Sequence, residues 1–348
     1  MHNQHLWGAP LDTPEDVVGW LGAMQAQEFP VAKWSVAQRA RDADNAAIDE
    51  VFAFGRILRT HILRPTWHFV LPADIRWMLK ISGPRVNALN SHYYRKLGLG
   101  EEQLAMTNTL IAKALGEGPH LTRREIAALL ERANISAEGL RLGYILMRAE
   151  LDGVICSGAP KGKQQSYASL DERAPEVDNR DRDEALAELT RRYFISRGPA
   201  TLKDYLRWSS LTAADGRKGL NSVESELEHE VADGRTYWFA PSSPGPMEVG
   251  GRIDLVQGYD ECIMSYSESR DLLRSTTTFD ENSHEKTAFI HAILLDGRLR
   301  GHWKRFPKRH SVVIETFLYR PLNGVERKAL VSAVERYGRF LGVPASLL

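Results

Sequence analysis

The sequence predicts an α+β chain of tandem winged-helix repeats, each a helix–turn–helix plus β-wing, closed by a C-terminal β-rich element. Three observations predict it. A Gly-Pro break, a Thr-x-x-acid helix start, a second helix, an Asp-Gly turn and a β-prone run recur in that order, first after Gly118-Pro119 and again after Gly198-Pro199. A looser version precedes Val70, where helical stretches run into two β-branched and aromatic runs. The C-terminal part alternates strand-like runs around an Asp296-Gly297 hairpin turn. These patterns divide the 348 residues into a first module at 1–71, a second at 72–175, a third at 176–250 and an α+β element at 251–348.

In the first module, Thr13-Pro14-Glu15-Asp16 opens a helix. Thr13 suits the N-cap, Pro14 the first helical position, and Asp16 completes a capping-box spacing. Val17, Trp20, Leu21 and Met24 then follow a helical apolar stripe. Gln25 and Gln27 come next, one residue apart, ahead of Pro30, which biases Phe29 away from the α region. On a continuous helix, residues two apart point about 200° from each other. If the helix loosens near Ala26, both amides face one way, as alternate residues of a strand do. Such a pair offers carbonyl acceptors and N–H donors without net charge, which suits orienting water or reading a polar ligand. On spacing alone, a Q-x-Q triplet more commonly lies on a solvated helix face. Ala46–Phe54 reads as a short helix ending at Gly55. Arg59–Leu63 and Thr66–Val70 read as a hairpin joined by Arg64-Pro65.

The second module reads as helices at Pro72–Leu79, Pro84–Leu97 and Glu101–Leu115, then a capped helix at Leu121–Ala133 and another at Arg141–Leu151. Asp152-Gly153 turns into Val154-Ile155-Cys156, a basic Gly-rich tip with Lys161 and Lys163, and a return strand near Gln165–Leu170. Asp171–Asp183 is charge-dense and reads as a solvated linker. The third module reads as helices at Glu184–Arg197, Leu202–Trp208 and Ala213–Glu230, then a strand at Thr236–Phe239 and a loop at Pro241–Met247. In the last part, Ile290–Leu295 and Leu299–Trp303 form a hairpin, Ser311–Tyr319 adds a strand, and Gly324–Leu341 is an amphipathic helix.

Lys+Arg and Asp+Glu are equal at 45 each, so net charge neither favours nor excludes nucleic acid, and only local patches speak. The two cysteines, Cys156 and Cys262, make no C-x-x-C, which fits a reducing cytosol. The start, MHNQHLWGAP, shows no secretory apolar core, and no apolar run approaches the ~20 residues of a membrane span. The strongest local charge feature runs from Arg298 to His310. It holds Lys304, Arg305, Lys308 and Arg309, no acids, and interleaved Trp303 and Phe306. Basic side chains neutralise phosphates and aromatics stack on bases, whereas a solvated hairpin would turn its aromatics to the core. Lys161 and Lys163 are a second phosphate candidate, or solubilise a loop. The eleven histidines include no H-E-x-x-H or comparable ligand spacing, so no metal or cofactor is expected. Nor is there a G-x-S-x-G, a P-loop or a Rossmann fingerprint. Tyr259 and Asp260, followed by Glu261, could line a site, although an acidic pair in a turn is usually a cap.

TPEDVVGWLGAMQAQEFP with AKW, then RTHILRPTWHFV, VQGYDE with YSESRDLL, the GR-x-x-G-x-W hairpin and RYGRFLG occur in this order along nearly the whole chain. Together they resemble the AlkZ-like winged-helix family of bacterial DNA glycosylases. The resemblance implies tandem winged helices around a concave DNA channel and monofunctional excision of alkylated (N7/N3) purines, bulky and crosslinked adducts included. It implies that the motif glutamines, Gln25 and Gln27, are catalytic. A sister branch carries a carboxylate at the second position, so Gln27 puts this chain in the Q-x-Q branch. Arg59, Arg64, Thr66, Trp67 and His68 of the R-T-H…R-P-T-W-H stretch join the basic segments as expected DNA contacts. The expected partner is double-stranded DNA, met by a cytoplasmic monomer with no membrane association. The rival expectation is a non-catalytic winged-helix regulator or scaffold.

Overall fold

Helix α1 (Pro14–Leu21) begins at its capping box: Thr13 Oγ1 accepts from the Asp16 amide at 3.1 Å, and Asp16 accepts from the Thr13 amide at 3.0 Å. It ends at Leu21, because Gly22 takes φ 70 and the chain leaves the helix before Met24. The expected stripe therefore stops short of Met24, which opens strand β1 (Met24–Gln25). The computed structural model describes residues 1–116, 118–175, 180–241, 250–270 and 290–348. Helix α2 (Phe29–Ala37) and α3 (Asn45–Ala53) follow, then β2 (Leu58–His61) and β3 (Trp67–Val70). The three strands form one antiparallel sheet in the order β1-β3-β2. The turn between β2 and β3 is longer than Arg64-Pro65 alone.

Helix α4 (Pro72–Lys96) is one 25-residue helix, where two were expected. Proline removes one helical hydrogen bond. Here Pro84 and Lys80 both lie on the exposed side, where water can serve the freed carbonyl. The buried face, from Ile75 through Val86, is continuous across the proline. Helix α5 (Glu101–Leu115), β4 (Leu121–Thr122), α6 (Arg123–Arg132), α7 (Gly139–Leu151), β5 (Ile155–Ser157) and β6 (Ser166–Ser169) come next, with strand order β4-β6-β5. The charge-dense stretch expected as a linker is partly helical. It contributes most of α8 (Leu170–Arg173), and Asp181 caps α9 (Arg182–Arg197).

Helices α10 (Leu202–Ser209) and α11 (Ala213–Val223) are followed by a two-stranded ribbon of β7 (Glu228–Ala232) and β8 (Arg235–Phe239). The helix expected to reach Glu230 ends at Val223, and its last residues form β7. The loop expected at Pro241–Met247 lies outside the described residues beyond Pro241. Strand β9 (Ile253–Val256), the single turn α12 (Glu261–Met264), β10 (Ala292–Leu295), β11 (Arg298–Pro307), β12 (Val312–Leu318), α13 (Gly324–Leu341) and β13 (Ala345–Leu347) complete the chain. They form a five-stranded sheet, β13-β12-β11-β10-β9, in which only β12 and β13 run parallel. The fold is thus mixed α+β.

Apolar packing ties distant segments together. One core joins Val17, Leu21, Met24, Trp34 and Phe69 to Leu255, Trp303, Ile314 and Tyr337 of the C-terminal part. A second joins Leu58, Ile62 and Val70 to Trp77 of α4 and to Tyr193, Phe194 and Trp208. A third lies within residues 94–167. The Q-x-Q stretch sits where the first two cores meet.

Helices α9 and α11 approach closely at Gly219. A Cβ there would fall 2.2 Å from Thr190 Oγ1 and 3.0 Å from the Leu186 carbonyl. Thr190 cannot turn away freely, because its hydroxyl is held by Leu186 O and the Tyr205 hydroxyl. Alanine normally gains about 1 kcal/mol over glycine in a helix, but overpacking costs about 1–3 kcal/mol. Gly219→Ala is expected to lower stability by roughly 1–2 kcal/mol. A urea midpoint at or above the wild-type value would show that this helix pair yields to the added methyl.

Candidate active site

The Q-x-Q stretch enters β1 at Gln25 and leaves it before Gln27, so only the first glutamine is a strand residue. Gln25 pairs with His68 across β1 and β3, and the Ala26 amide donates to the Trp67 carbonyl at 2.7 Å. Gln25 is almost wholly buried, whereas Gln27 is half-buried. Their carbonyl oxygens are held from the hairpin. Arg64 Nη2 donates to Gln25 Oε1 at 2.8 Å, and the Trp67 amide donates to Gln27 Oε1 at 3.4 Å. Neither side-chain NH2 group makes a hydrogen bond among the described residues. Beside Gln25, the buried Gln257 Oε1 also has no partner there.

Arg64 is buried and anchors three groups. Its Nη1 donates to the Trp208 carbonyl at 2.7 Å, and its Nη2 also reaches His68 Nε2 at 3.1 Å. Burial lowers its pKa to about 10, which leaves it charged at neutral pH. The His68 tautomer follows. Nδ1–H donates to the Thr66 carbonyl at 2.9 Å, so Nε2 keeps a lone pair for Arg64. Burial first, then the Arg64 charge, hold His68 well below its ordinary pKa, so the ring is neutral.

The floor of the site comes from far along the chain. Glu261 Oε1 accepts from the Gln25 amide at 2.8 Å. Its Oε2 accepts from Arg197 Nη2 at 2.8 Å, Trp208 Nε1 at 2.9 Å and Ser265 Oγ at 2.7 Å. Burial raises the pKa of Glu261, but Arg197 and Arg64 outweigh it and hold the carboxylate ionised. Arg197 in turn donates to the Leu21 and Ala23 carbonyls that flank the end of α1. Gln257 Nε2 donates to the Gln25 carbonyl at 3.4 Å.

The structure therefore brings Gln25, Gln27, Arg64, Thr66, Trp67 and His68 together. Arg59 joins them as a brace: its guanidinium donates to the Ala26 carbonyl at 3.0 Å and the Gln27 carbonyl at 3.3 Å, and lies 4.3 Å from the Trp67 ring centroid. Asp260 presents no free oxygen to a ligand, being buried in a two-point pair with Arg39 at 2.7 and 3.0 Å while capping α12. Tyr259 is half-buried near Glu28. No hydrogen bond or ion pair links the two basic segments to the glutamines. Lys161 and Lys163 are exposed at the tip between β5 and β6, with Lys161 paired to Glu125 at 3.1 Å. Lys304, Lys308 and Arg309 are exposed, whereas Arg305 reaches the Tyr337 hydroxyl at 3.4 Å. Trp303 is core and Phe306 is exposed, so the aromatics of that strand split between the two readings.

Sequence reasoning missed Arg197, Trp208 and Gln257 as parts of the site. The acidic pair after Tyr259 was a legible signal, but the carboxylate that reaches Gln25 is its second member. Among the described residues, no group of three or more His, Cys, Asp or Glu side chains is placed to hold a metal ion. No helix there is long and apolar enough to cross a membrane.

Residues 18–340 match the family described as DNA glycosylase AlkZ-like. The chain belongs to the AlkZ-like DNA glycosylase family. An interstrand DNA cross-link repair glycosylase from Streptomyces sahachiroi is 24% identical, the alignment covering 97% of this chain and 92% of the relative. The solved structure of the Streptomyces sahachiroi DNA glycosylase AlkZ superposes with a TM-score of 0.77 at 21% identity, over 100% of this chain and 97% of that one. That structural likeness is one of fold.

Neutral His68 has a consequence for stability. Its folded pKa lies below the ordinary 6.5, so on acidification the unfolded chain takes up the proton first. The contribution is intact above about pH 6.5 and is lost as pH falls towards the folded pKa. Urea unfolding of wild type and His68→Gln at pH 7.5, 6.5 and 5.5 should therefore differ in slope. The variant's stability should fall less steeply below pH 6.5, by up to about 1.4 kcal/mol per pH unit. Parallel profiles would mean that His68 is protonated in the folded protein.

Proposed function

We propose that this chain is a monofunctional, metal-independent DNA glycosylase that hydrolyses the N-glycosidic bond of purines alkylated at N7 or N3, with Gln25 and Gln27 as its catalytic residues. The observation that carries this reading is the convergence of the two amides with Arg64 and His68, in a chain of the AlkZ-like family. A relative named for interstrand cross-link repair supports extending the substrate to bulky and crosslinked purine adducts. The first three helix–sheet units, at 1–71, 72–175 and 176–250, read as winged helices, and 251–348 as an α+β element completing a concave DNA channel. Duplex DNA is the partner of a cytoplasmic monomer. Lys161, Lys163, Lys304, Lys308 and Arg309 supply phosphate contacts.

Alkylation at N7 or N3 places positive charge on the base, which makes it a good leaving group. The C1′–N bond breaks with its electron pair going to the base, and water adds to the oxocarbenium-like C1′ with loss of a proton. The enzyme must mainly place that water and stabilise developing charge. Each amide oxygen takes one donor from the hairpin and keeps a lone pair for water. The unpartnered Gln257 Oε1 adds a polar atom beside Gln25 that such a water can meet.

Gln27 gives the cleaner test. Truncating Gln25 would strip a partner from the buried Arg64 charge and disturb the fold, whereas Gln27 is half-exposed. Single-turnover excision from an N7-methylguanine duplex should slow roughly a hundredfold to a thousandfold in Gln27→Leu, with DNA affinity nearly unchanged. Equal excision by Gln27→Leu would end the amide mechanism. Failure of wild type on every alkylated substrate would favour the regulator reading.

The basic strand makes a separate prediction. Duplex binding should weaken steeply with salt, and Lys304→Glu, Lys308→Glu and Arg309→Glu together should flatten the log–log slope by roughly 2.7, about 0.9 per phosphate contact. An unchanged slope would assign these side chains to surface solubility.

A further inference from the structure

Behind the glutamine pair lies a buried carboxylate–imidazole pair. Glu150 of α7 is 1% exposed, and its Oε2 meets Nδ1 of His61 on β2. The carboxylate makes Nδ1–H the donor and fixes the ring's orientation. The ring packs on Trp67, its register partner across β2 and β3, at 4.4 Å between centroids. Trp67 holds Gln27 Oε1 through its amide and also packs against Arg59. Arg59 in turn grips the Ala26 and Gln27 carbonyls. A second strut runs the same way: Ser157 of β5 accepts from the Arg59 amide at 2.7 Å. Both Glu150 and Ser157 lie outside the Q-x-Q sheet, 89 and 98 positions along the chain from their partners.

We propose that Glu150 and His61 are positioning residues for Gln27: the pair clamps Trp67, and through Trp67 and Arg59 it sets where the Gln27 amide stands. This rests on the glycosylase reading for its functional consequence, but not for its geometry. A buried carboxylate is costly to retain unless it is hydrogen-bonded. The hairpin already has its own apolar core, in Leu58, Ile62 and Val70, on the face away from Glu150. A carboxylate placed to orient one ring that packs on one site tryptophan is explained by a need for precision there. A misplacement of about 1 Å at a reacting group costs up to roughly a hundredfold in rate.

The test uses the full chain with Glu150→Ala and Glu150→Gln, and two readouts. The first is single-turnover excision and equilibrium binding on an N7-methylguanine duplex. The second is the side-chain NH2 resonance of Gln27 in a ¹⁵N-edited spectrum, assigned by its loss in Gln27→Leu. Glu150→Ala should move the Gln27 resonance and slow excision roughly tenfold to a hundredfold, leaving DNA affinity nearly unchanged. Glu150→Gln keeps an oxygen to accept from Nδ1–H, so both readouts should return close to wild type. If Glu150→Ala lowers the melting temperature but leaves the Gln27 resonance in place, the pair is only structural and the proposal is overturned. If Glu150→Gln behaves as Glu150→Ala, charge rather than orientation matters, and the proposal is likewise overturned. If wild type excises nothing, the glycosylase reading fails while the resonance still decides the positioning role.

Discussion

The buried Glu261 carboxylate is the constraint on which the site depends. It takes four donors: the Gln25 amide, Arg197, Trp208 and Ser265. Ionised groups of this size lose several kcal/mol each on leaving water, and only good pairing with further hydrogen bonds offsets that. Here both members of the pair are fully buried, and the remaining lone pairs are filled. Removing one partner of such a pair costs about 3–5 kcal/mol, because the other charge is left unpaired. A hydrophobic replacement of both could be as stable. What it could not do is hold the backbone of Gln25, since that bond needs an acceptor at this position.

The consequence reaches β1 itself. A two-residue strand such as β1 has too few ladder bonds to persist alone. Its position is set from three sides. Phe69 and His68 pair with it, Glu261 takes the Gln25 amide, and Arg197 takes the Leu21 and Ala23 carbonyls just before it. Gly22 supplies the positive φ that lets α1 end in time. The helix is thus cut short so that Gln25 can join β3 as a strand residue. The local sequence alone would have allowed the apolar stripe to continue through Met24.

The parts of this arrangement that were legible in the sequence are the local ones. The capping boxes at Thr13, Thr122 and Thr201 place helix starts because their partners are three residues away. The hairpin at 58–70 is legible because β-branched and aromatic residues crowd it, and the oddity of Gln25-Ala26-Gln27 before Pro30 marks a break in helical phase. The failures come from contacts a local reading does not see. Pro84 is carried by the continuous buried face of α4, whereas β7, exposed along its whole length, is set by its pairing with β8. Arg197 and Trp208 carry no pattern at all, since their meaning lies in contacts with Glu261 more than fifty positions away. Asp260 and Glu261 are adjacent and chemically alike, and nothing in a single sequence says which one turns towards Arg39 and which towards Gln25.

The electrostatics around Gln25 then bear on what the amides can do. Arg64 is charged, His68 is neutral and accepts from it, and Glu261 is ionised beneath them. With Arg197 paired to Glu261, the nearest fixed charges leave one net positive charge, on Arg64, and none of these groups offers a titrating base to the exposed side. Under the proposed glycosylase reading, an alkylated purine needs little protonation to leave, so the demand falls on placing water. An amide suits that demand better than a second carboxylate would. A carboxylate at Gln25 would be drawn into a full ion pair with Arg64, and its lone pairs would be turned away from water. With glutamine, Arg64 fixes the carbonyl oxygen by one charge-assisted bond and leaves the second lone pair and the NH2 group available. The same guanidinium that would disable an acid therefore orients an amide, which gives a physical reason for glutamine at position 25.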